Sequence, residues 1–407
     1  MTPEMRIPPF GILQSTLRSV TNRLVDEICE PTVIPPDWSR FEWTIARSVS
    51  AMQGISGMLA NRLRWREPQD FLGFLEEQRE HTVAFRDRAR SMLARIDAAA
   101  RTAGIPVVAL KGAATFGMKL HGRGERPMTD LDLLIEPARM EAMYGVMATC
   151  GYVHSHTSRR HATFKPAADT PALGFGEHRD NPLRVELHTR IAEHLPVSEV
   201  DATPTIRPAV LVPGINGYAS RTSLFRHLLL HTAGNMRSRC FRALQAFDIA
   251  ALAATLDTAD WDELFDEARC ATWWLYPPLA VAARVRPASI PAAALDRAAR
   301  SSPRWLRRRR RHGGVFEVSW SNLRIAALPG IEWSRTPAEA VRLLRARLIP
   351  SSQDLTELRH SAESMPKLLE LPWYQLSHPQ RILRWALGRA PRVQTMASVH
   401  AALQSMR

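Results

Sequence analysis

The stretch Met128-Thr129-Asp130-Leu131-Asp132-Leu133-Leu134-Ile135 decides the fold, because acidic and apolar residues alternate in it at strand spacing. Side chains at positions i and i+2 of a β-strand point to the same face. Asp130 and Asp132 therefore project together, roughly 6–7 Å apart at the backbone. Leu131, Leu133 and Ile135 turn to the opposite face, where they can be buried. The sequence thus predicts a strand whose acidic face could bind divalent cations, as in a two-metal site.

Patterns typical of helices lie on both sides of this strand. Apolar residues recur at helical spacing over residues 41–65 and 71–103, and again from Thr222 almost to the C-terminus. Between these parts we predict strands over 105–110, 152–156, 161–165 and 183–188, with helices over 113–120 and 137–149. We therefore expect an α+β protein. A small mixed β-sheet with flanking helices (residues 99–205) would lie between an N-terminal helical region (1–98) and a C-terminal helical region (206–407).

Composition is that of a globular protein with two or three domains. The chain has 407 residues, of which 45% are hydrophobic, enough for a sizeable core. It shows no secretory signal pattern and no apolar run near the roughly 20 residues of a membrane span. We therefore expect a cytoplasmic protein. The four cysteines are far apart, which favours buried free thiols over a zinc site or disulfides.

The formal net charge of +14 raises the question of an anionic partner. Only four of the 54 basic residues are lysines, so the arginine bias resembles a coding preference as much as a selected surface. The charge is concentrated around Arg304–Arg311, a basic run that includes Trp305. This run could contact nucleic acid or an acidic partner. It could equally be the solvated face of a helix that ends before Gly313-Gly314.

A third carboxylate, Glu186, lies on the predicted strand 183–188 and alternates there with apolar residues. If this strand is a neighbour of the one that carries Asp130 and Asp132, the three carboxylates meet at one end of the sheet. Two metal ions need several shared carboxylates, because negative ligands must offset two dications. The alternative for Glu186 is a cross-strand salt bridge.

Lys111-Gly112 follows the first predicted strand and has the composition of a phosphate-binding turn. Glycine at a strand-to-helix turn lets backbone N–H groups approach a phosphate closely, and a lysine adds a positive charge. Lys111 could also be an ordinary surface cation. Arg126, shortly before Asp130, could neutralise the charge of a departing pyrophosphate.

Together these residues resemble a known family, the uncharacterised bacterial nucleotidyltransferases of the DNA polymerase β superfamily, which are distant relatives of kanamycin nucleotidyltransferase. The segments that carry the resemblance are Leu110-Lys111-Gly112, Arg126, Asp130-Leu131-Asp132-Leu133-Leu134-Ile135, Gly151-Tyr152 and Val185-Glu186-Leu187-His188. The likeness extends into the helical part, where segments 227–231 and 244–248 lie where such proteins carry a histidine-bearing and an aspartate-bearing helix.

The resemblance implies a nucleotidyltransferase fold that binds a nucleoside triphosphate, such as ATP, together with two Mg²⁺ ions, with Mn²⁺ as an alternative. An acceptor hydroxyl on a small molecule, a peptide or protein, or an RNA would attack the α-phosphorus and release pyrophosphate. The residues so assigned are Asp130, Asp132 and Glu186 for metal binding and catalysis, and Lys111, Gly112 and Arg126 for phosphate binding. Glu186 would complete the metal set or act as the base. His188 and His231 are candidates for substrate contacts.

Two features depart from the family pattern. Members commonly have Gly-Ser or Gly-Gly in the phosphate turn, whereas this chain has Gly112-Ala113. The segment from Gly112 to Asp130 is also longer than in compact members. A non-catalytic protein that binds nucleotide, RNA or a protein partner on the same fold is therefore the alternative hypothesis. A third is an antitoxin whose target hydroxyl lies on a partner protein.

The remaining polar residues also have structural interpretations. His227 and His231 are four residues apart on a predicted helix, but no glutamate stands in the H-E-x-x-H position, so a packed helix face is favoured over a zinc site. His188 could orient a substrate or make a structural hydrogen bond. Asp248 is expected to form a helix-packing ion pair. We expect three strand histidines at the protein surface: His154, His156 and His161.

Overall fold

Four helices precede the first strand in the residues that this computed structural model describes, which are 8–158, 161–168, 176–196, 198–266, 268, 271–311, 314–323, 330–349, 376–387 and 392–404. They are α1 (Phe10–Cys29), α2 (Arg40–Gln53), α3 (Ser56–Arg62) and α4 (Gln69–Thr102). A capping box formed by Ser39 and Glu42 starts α2. Gly54, at φ 67°, ends it in a left-handed conformation and so divides the predicted helical stretch 41–65.

The described strands form a six-stranded mixed sheet and a separate two-stranded one. They are β1 (Pro106–Ala109), β2 (Asp130–Leu134), β3 (Tyr152–Thr157), β4 (His161–Pro166), β5 (Arg184–His188), β6 (Ala192–His194), β7 (Glu199–Asp201) and β8 (Gly214–Asn216). The large sheet has the order β3-β4-β5-β2-β1-β8, in which β2 is antiparallel to β1 and parallel to β5. The predicted α+β fold with a small mixed sheet between helical regions is confirmed.

The two faces of β2 pack against different helices. Leu131 and Leu133 share a core with Ile96 of α4 and Met143 of α6 (Met140–Thr149). On the opposite face, which carries the two aspartates, Leu134 belongs to the larger core that the N-terminal and C-terminal helices share. Burying each leucine stabilises the fold by roughly 1.5–3 kcal/mol. A shift of one residue would exchange the two faces, so these side chains fix the direction in which the carboxylates point.

The described residues from Arg221 onward are mainly helical, as predicted. The remaining helices are α5 (Lys111–Ala114), α7 (Thr203–Ile206), α8 (Arg221–Ser238), α9 (Ala243–Ala253), α10 (Thr258–Leu264), α11 (Tyr276–Val285), α12 (Ala292–Ser301), α13 (Arg304–Arg311), α14 (Val315–Val318), α15 (Pro337–Leu348), α16 (His378–Ala386) and α17 (Val393–Gln404). α8 packs against α9 and also contacts α5, which follows β1. None of the described helices has both the length and the apolar character needed to cross a membrane.

The basic run Arg304–Arg311 forms α13. Leu306 is fully buried, whereas Arg304, Trp305 and Arg308 are exposed. The side chains of residues 309–311 lie outside the described part of the chain. The helix thus packs through Leu306 and exposes arginines to solvent. This agrees with the interpretation of the run as the solvated face of a helix. A nucleic-acid or acidic partner for this surface stays a prediction.

Several local elements differ from the sequence-based expectations, among them α5 and the short strands. The helix predicted over 113–120 is a single turn, α5, because the Thr115 hydroxyl donates to the carbonyl of Gly112 over 2.9 Å and closes it. The short strand β8 pairs in parallel with β1 although it lies beyond residue 205. It was not predicted, since a three-residue strand that begins at Gly214 and is followed by Gly217 shows too little alternation. The domain boundaries themselves stay a prediction.

The described cysteines are free thiols, as expected. Cys150 is buried, whereas Cys29 and Cys240 are half-buried, so full burial holds for Cys150 alone among them. Cys270 lies outside the described residues.

Candidate functional site

Three carboxylates converge where β2 and β5 run side by side. Asp132 stands opposite Glu186 in the strand register, and Asp130 precedes Asp132 by two residues on the same face. The two strands are thus neighbours, as they must be if the three carboxylates are to meet. Asp132 is only 4% exposed, and the other two residues are half-buried. The acidic face is therefore enclosed rather than a solvated strand surface.

Lys111 and His188 both hold Asp132. The Lys111 Nζ donates to Asp132 Oδ1 over 2.9 Å, and His188 Nε2 lies 2.9 Å from the same oxygen. Burial by itself raises the pKa of Asp132, but the Lys111 charge and the His188 hydrogen bond lower that pKa well below its usual range. Burial by itself lowers the pKa of Lys111, but the negative charges of Asp132 and Asp130 raise that pKa above its usual value. Lys111 is therefore a half-buried ion-pair partner of Asp132 and not an ordinary surface cation.

Asp130 differs electrostatically from its neighbour. Burial and the negative charges of Asp132 and Glu186 raise the pKa of Asp130, and Lys111 offsets only part of this effect. The cluster thus carries negative charge that a bound dication would offset. Carboxylate oxygens are the ligands that Mg²⁺ prefers, so the residues present fit this ion.

His161, which was predicted to lie at the surface, joins Glu186 and His188. Its strand β4 lies between β3 and β5, and the register puts His161 opposite His188. The Glu186 Oε2 lies 3.5 Å from His161 Nδ1 and 3.6 Å from His188 Nε2. The surface prediction is therefore wrong for His161. It holds for His154 and His156, which are exposed on the outer strand β3.

The turn after β1 is held by an aromatic residue that the sequence did not point to. Lys111 has a φ of 43°, a left-handed conformation that is rare for residues other than glycine. Its backbone N–H donates to the Tyr218 hydroxyl over 3.1 Å, and that hydroxyl lies 2.7 Å from Nδ1 of the buried His227. Tyr218 precedes α8 in a segment without strand or helix periodicity, so no pattern marks it. His227 is a packed, hydrogen-bonded imidazole, as expected.

Arg126 covers this turn and is anchored to the helical half. A Cβ at Gly112 would lie 2.7 Å from Arg126 Nη1, so glycine permits the close approach. The Arg126 Nε and Nη2 donate to the Asp248 carboxylate over 3.0 and 2.9 Å, and His121 Nε2 lies 2.7 Å from it. Although burial by itself raises the pKa of Asp248, the Arg126 charge and the His121 hydrogen bond lower it to about 2. The expected ion pair of Asp248 is confirmed.

A cavity of about 440 Å³ lies over these groups. Its wall on the sheet side contains every residue that the sequence assigned to metal or phosphate binding: Lys111, Gly112, Arg126, Asp130, Asp132 and Glu186. On the helical side it is lined by polar and aromatic side chains that include His231, Asn235, Arg242, Gln245 and Trp320. Of these, only His231 was a candidate from the sequence. Pockets of roughly 300–1,000 Å³ hold small ligands and cofactors, a range that includes this cavity.

Comparison with known families gives a match to the central part of the chain. A family model described as "Uncharacterised nucleotidyltransferase" matches residues 39–280, which is more than half of the sequence. This span includes all strands of the six-stranded sheet and the helices α8 and α9 that border the cavity. Neither a curated protein nor a solved structure matches the chain. The distant relationship to kanamycin nucleotidyltransferase stays a prediction.

Proposed function

Because this chain belongs to the uncharacterised nucleotidyltransferase family, we propose that it transfers a nucleoside monophosphate from a Mg²⁺-bound nucleoside triphosphate to an acceptor hydroxyl and releases pyrophosphate. One observation carries the proposal. The carboxylates of Asp130, Asp132 and Glu186 line the same cavity as the Lys111-Gly112 turn and Arg126. A metal-binding acidic cluster beside phosphate-binding cations is the arrangement that phosphoryl transfer requires.

Asp130 and Asp132 would hold the metal ions. When bound, Mg²⁺ offsets the charge of the triphosphate and favours ionisation of a hydroxyl. We assign Glu186 as the base, with completion of the metal set as the alternative. In the base role its carboxylate takes the proton of the acceptor hydroxyl, the hydroxyl oxygen forms its bond to the α-phosphorus, and the bond from phosphorus to the pyrophosphate oxygen breaks.

The two cations of the site have different surroundings, which supports different roles. Lys111 brings its Nζ to the carboxylate cluster, where a triphosphate oxygen could replace Asp132 as its partner. Arg126 keeps Nε and Nη2 on Asp248 while its Nη1 lies beside Gly112. We therefore assign Lys111 to the bound triphosphate and Arg126 to the departing pyrophosphate. His188 would position Asp132, and His231 would contact the substrate.

Thermal unfolding in the presence of each nucleoside triphosphate with Mg²⁺ identifies the donor. A ligand that binds only the folded state raises the unfolding temperature, so one triphosphate should stabilise the protein more than the others. The same donor should then give Mg²⁺-dependent pyrophosphate release with pooled hydroxyl acceptors. Stabilisation without any release across these acceptors would favour the non-catalytic alternative.

Substitution of the aspartates tests the assignment of the metal ligands. We expect Asp130→Asn and Asp132→Asn each to reduce pyrophosphate release by about 10²–10³-fold, a typical cost of losing one group that stabilises charge in the transition state. Asp262→Asn is the matched control, since Asp262 is 72% exposed on α10. Folding is checked by circular dichroism. If both site variants retain the full rate, the metal assignment is wrong.

A non-catalytic binding protein is the second candidate function, and two features of the turn favour it. Ala113 cannot offer the hydroxyl that many relatives place there, and Lys111 is already paired with Asp132. Such a protein would bind nucleotide, RNA or a protein partner without turnover. Its binding would survive Asp130→Asn, whereas metal-dependent catalysis would not.

A further inference from the structure

A group of metal-binding side chains extends from the carboxylate pair toward β4. His161, Glu186 and His188 each offer one ligand atom, and these atoms all lie within 4.8 Å of one another. Two of the three distances, measured from Glu186 Oε2, are 3.5 Å to His161 Nδ1 and 3.6 Å to His188 Nε2. An ion about 2.1 Å from each ligand atom requires ligand atoms roughly 3–3.5 Å apart, so small side-chain movements would close the site.

The His161 ring has a ligand atom that its protein surroundings leave unsatisfied. Its Nδ1 is buried and makes no hydrogen bond with any residue that the structure describes. Buried polar atoms are nearly always hydrogen-bonded, because water removed without replacement costs free energy. A metal ion would provide the missing partner, since a neutral imidazole nitrogen carries a lone pair for coordination.

We propose that His161, Glu186 and His188 bind a transition-metal dication of the Zn²⁺ or Co²⁺ class in preference to Mg²⁺. Imidazole nitrogen suits such ions, whereas Mg²⁺ favours oxygen ligands alone. The ion would bind the Nε2 of His188 without its proton, and would thus replace the hydrogen bond that this nitrogen makes with Asp132 when no ion is bound. The inference does not rest on nucleotidyl transfer, because ion binding needs no nucleotide. Glu186 belongs to both sets, so this ion would adjoin the one assigned to the aspartates.

Titration of the metal-stripped full-length protein with Co²⁺, without nucleotide, tests the proposal. Bound Co²⁺ is followed by its visible absorption, and Mg²⁺ in large excess should not displace it. We expect His161→Gln to weaken Co²⁺ binding by at least about tenfold, since loss of an outer-shell partner alone costs 10–100-fold. His154→Gln, which changes an exposed histidine of β3, is the matched control and should bind as the wild type does.

Asp130→Asn separates this site from the aspartate pair. It removes a neighbouring charge but no ligand of the histidine cluster, so Co²⁺ should still bind with imidazole ligands. Proton NMR of the Co²⁺-loaded wild type reads out those ligands directly, because an imidazole on Co²⁺ gives strongly shifted, exchangeable N–H signals. This measurement tests for imidazole ligands even if the His161→Gln variant fails to fold.

Three results would overturn the inference. They are an absence of Co²⁺ binding to the wild type, an absence of shifted imidazole signals in its Co²⁺ complex, and Co²⁺ binding that survives His161→Gln but is lost in Asp130→Asn. None of them bears on pyrophosphate release, so the transferase proposal can fail or stand separately.

Discussion

At Lys111 the backbone conformation depends on contacts that other residues make. A left-handed φ in a residue with a side chain costs of order 1–3 kcal/mol, which the surroundings must offset. The Tyr218 hydroxyl accepts the Lys111 N–H and also contacts His227. Tyr218→Phe keeps the ring but leaves both groups without this partner. We expect the free energy of unfolding in urea to fall by roughly 1–3 kcal/mol.

Tyr144→Phe is the control for this substitution, because Tyr144 packs against Phe164 on the other side of the sheet. Its free energy of unfolding should change by no more than about 0.5 kcal/mol. A Tyr218→Phe protein as stable as the wild type would mean that the hydroxyl does not hold the turn.

The residues of the site differ in how far the sequence could predict them. Asp130 and Asp132 lie on one strand with clear alternation, so their shared face follows from period two alone. Glu186 joins them only because β5 pairs with β2. The position of His161 depends on which strand pairs with β5 and in what register. The local sequence pattern predicts neither the pairing nor the register. Tyr218 reaches Lys111 from a distant loop, a contact that only the tertiary structure creates.

At the scale of elements, α3 packs so closely on the loop before β2 that a methyl group cannot be added. A Cβ at Gly57 would lie 1.9 Å from the carbonyl oxygen of Gly124, which is backbone and cannot move aside alone. Gly57→Ala must therefore displace the helix or the loop. We expect it to lower the free energy of unfolding by 1–3 kcal/mol or more, on the order of other overpacking substitutions. Urea titration followed by circular dichroism measures this change.

Gly73 is the matched control for this substitution, since it is exposed on α4 and a Cβ there would meet nothing within 4 Å. Replacing a helical glycine by alanine stabilises a helix by roughly 0.5–1 kcal/mol. Gly73→Ala should accordingly raise the unfolding temperature, whereas Gly57→Ala should lower it. Equal effects of the two substitutions would contradict the close packing of α3.

Elements with a strong internal period were predictable, and elements that depend on partners were not. α4 is long and amphipathic, and the predicted stretch 71–103 agrees closely with Gln69–Thr102. The three-residue strands β6, β7 and β8 exist because a neighbour supplies their hydrogen bonds. α5 stops after one turn through the Thr115 side chain, which competes with helix continuation.

At the scale of the whole molecule, the Arg126–Asp248 ion pair joins the αβ unit to the helical half. Asp248 lies on α9, and its partners Arg126 and His121 lie in the segment before β2. Removing one member of a buried ion pair costs about 3–5 kcal/mol, because the remaining charge stays buried without compensation. Asp248→Asn should therefore lower the unfolding temperature at neutral pH, as measured by calorimetry.

The pH dependence of this effect follows from the direction of the pKa shift. Asp248 has a folded-state pKa of about 2, below the ordinary value of 3.8, so the unfolded chain takes up the proton first. The corresponding stabilisation, roughly 2 kcal/mol, is present above about pH 4 and is lost as the pH falls through 2. The difference in unfolding temperature between the wild type and Asp248→Asn should therefore shrink between pH 4 and 2.

Asp262→Asn, which removes an exposed ion pair with Arg297, is the control and should differ only slightly from the wild type in unfolding temperature at every pH. If the difference in unfolding temperature between the wild type and Asp248→Asn stayed constant down to pH 2, the negative charge of Asp248 would not be what stabilises the contact between the αβ unit and the helical half.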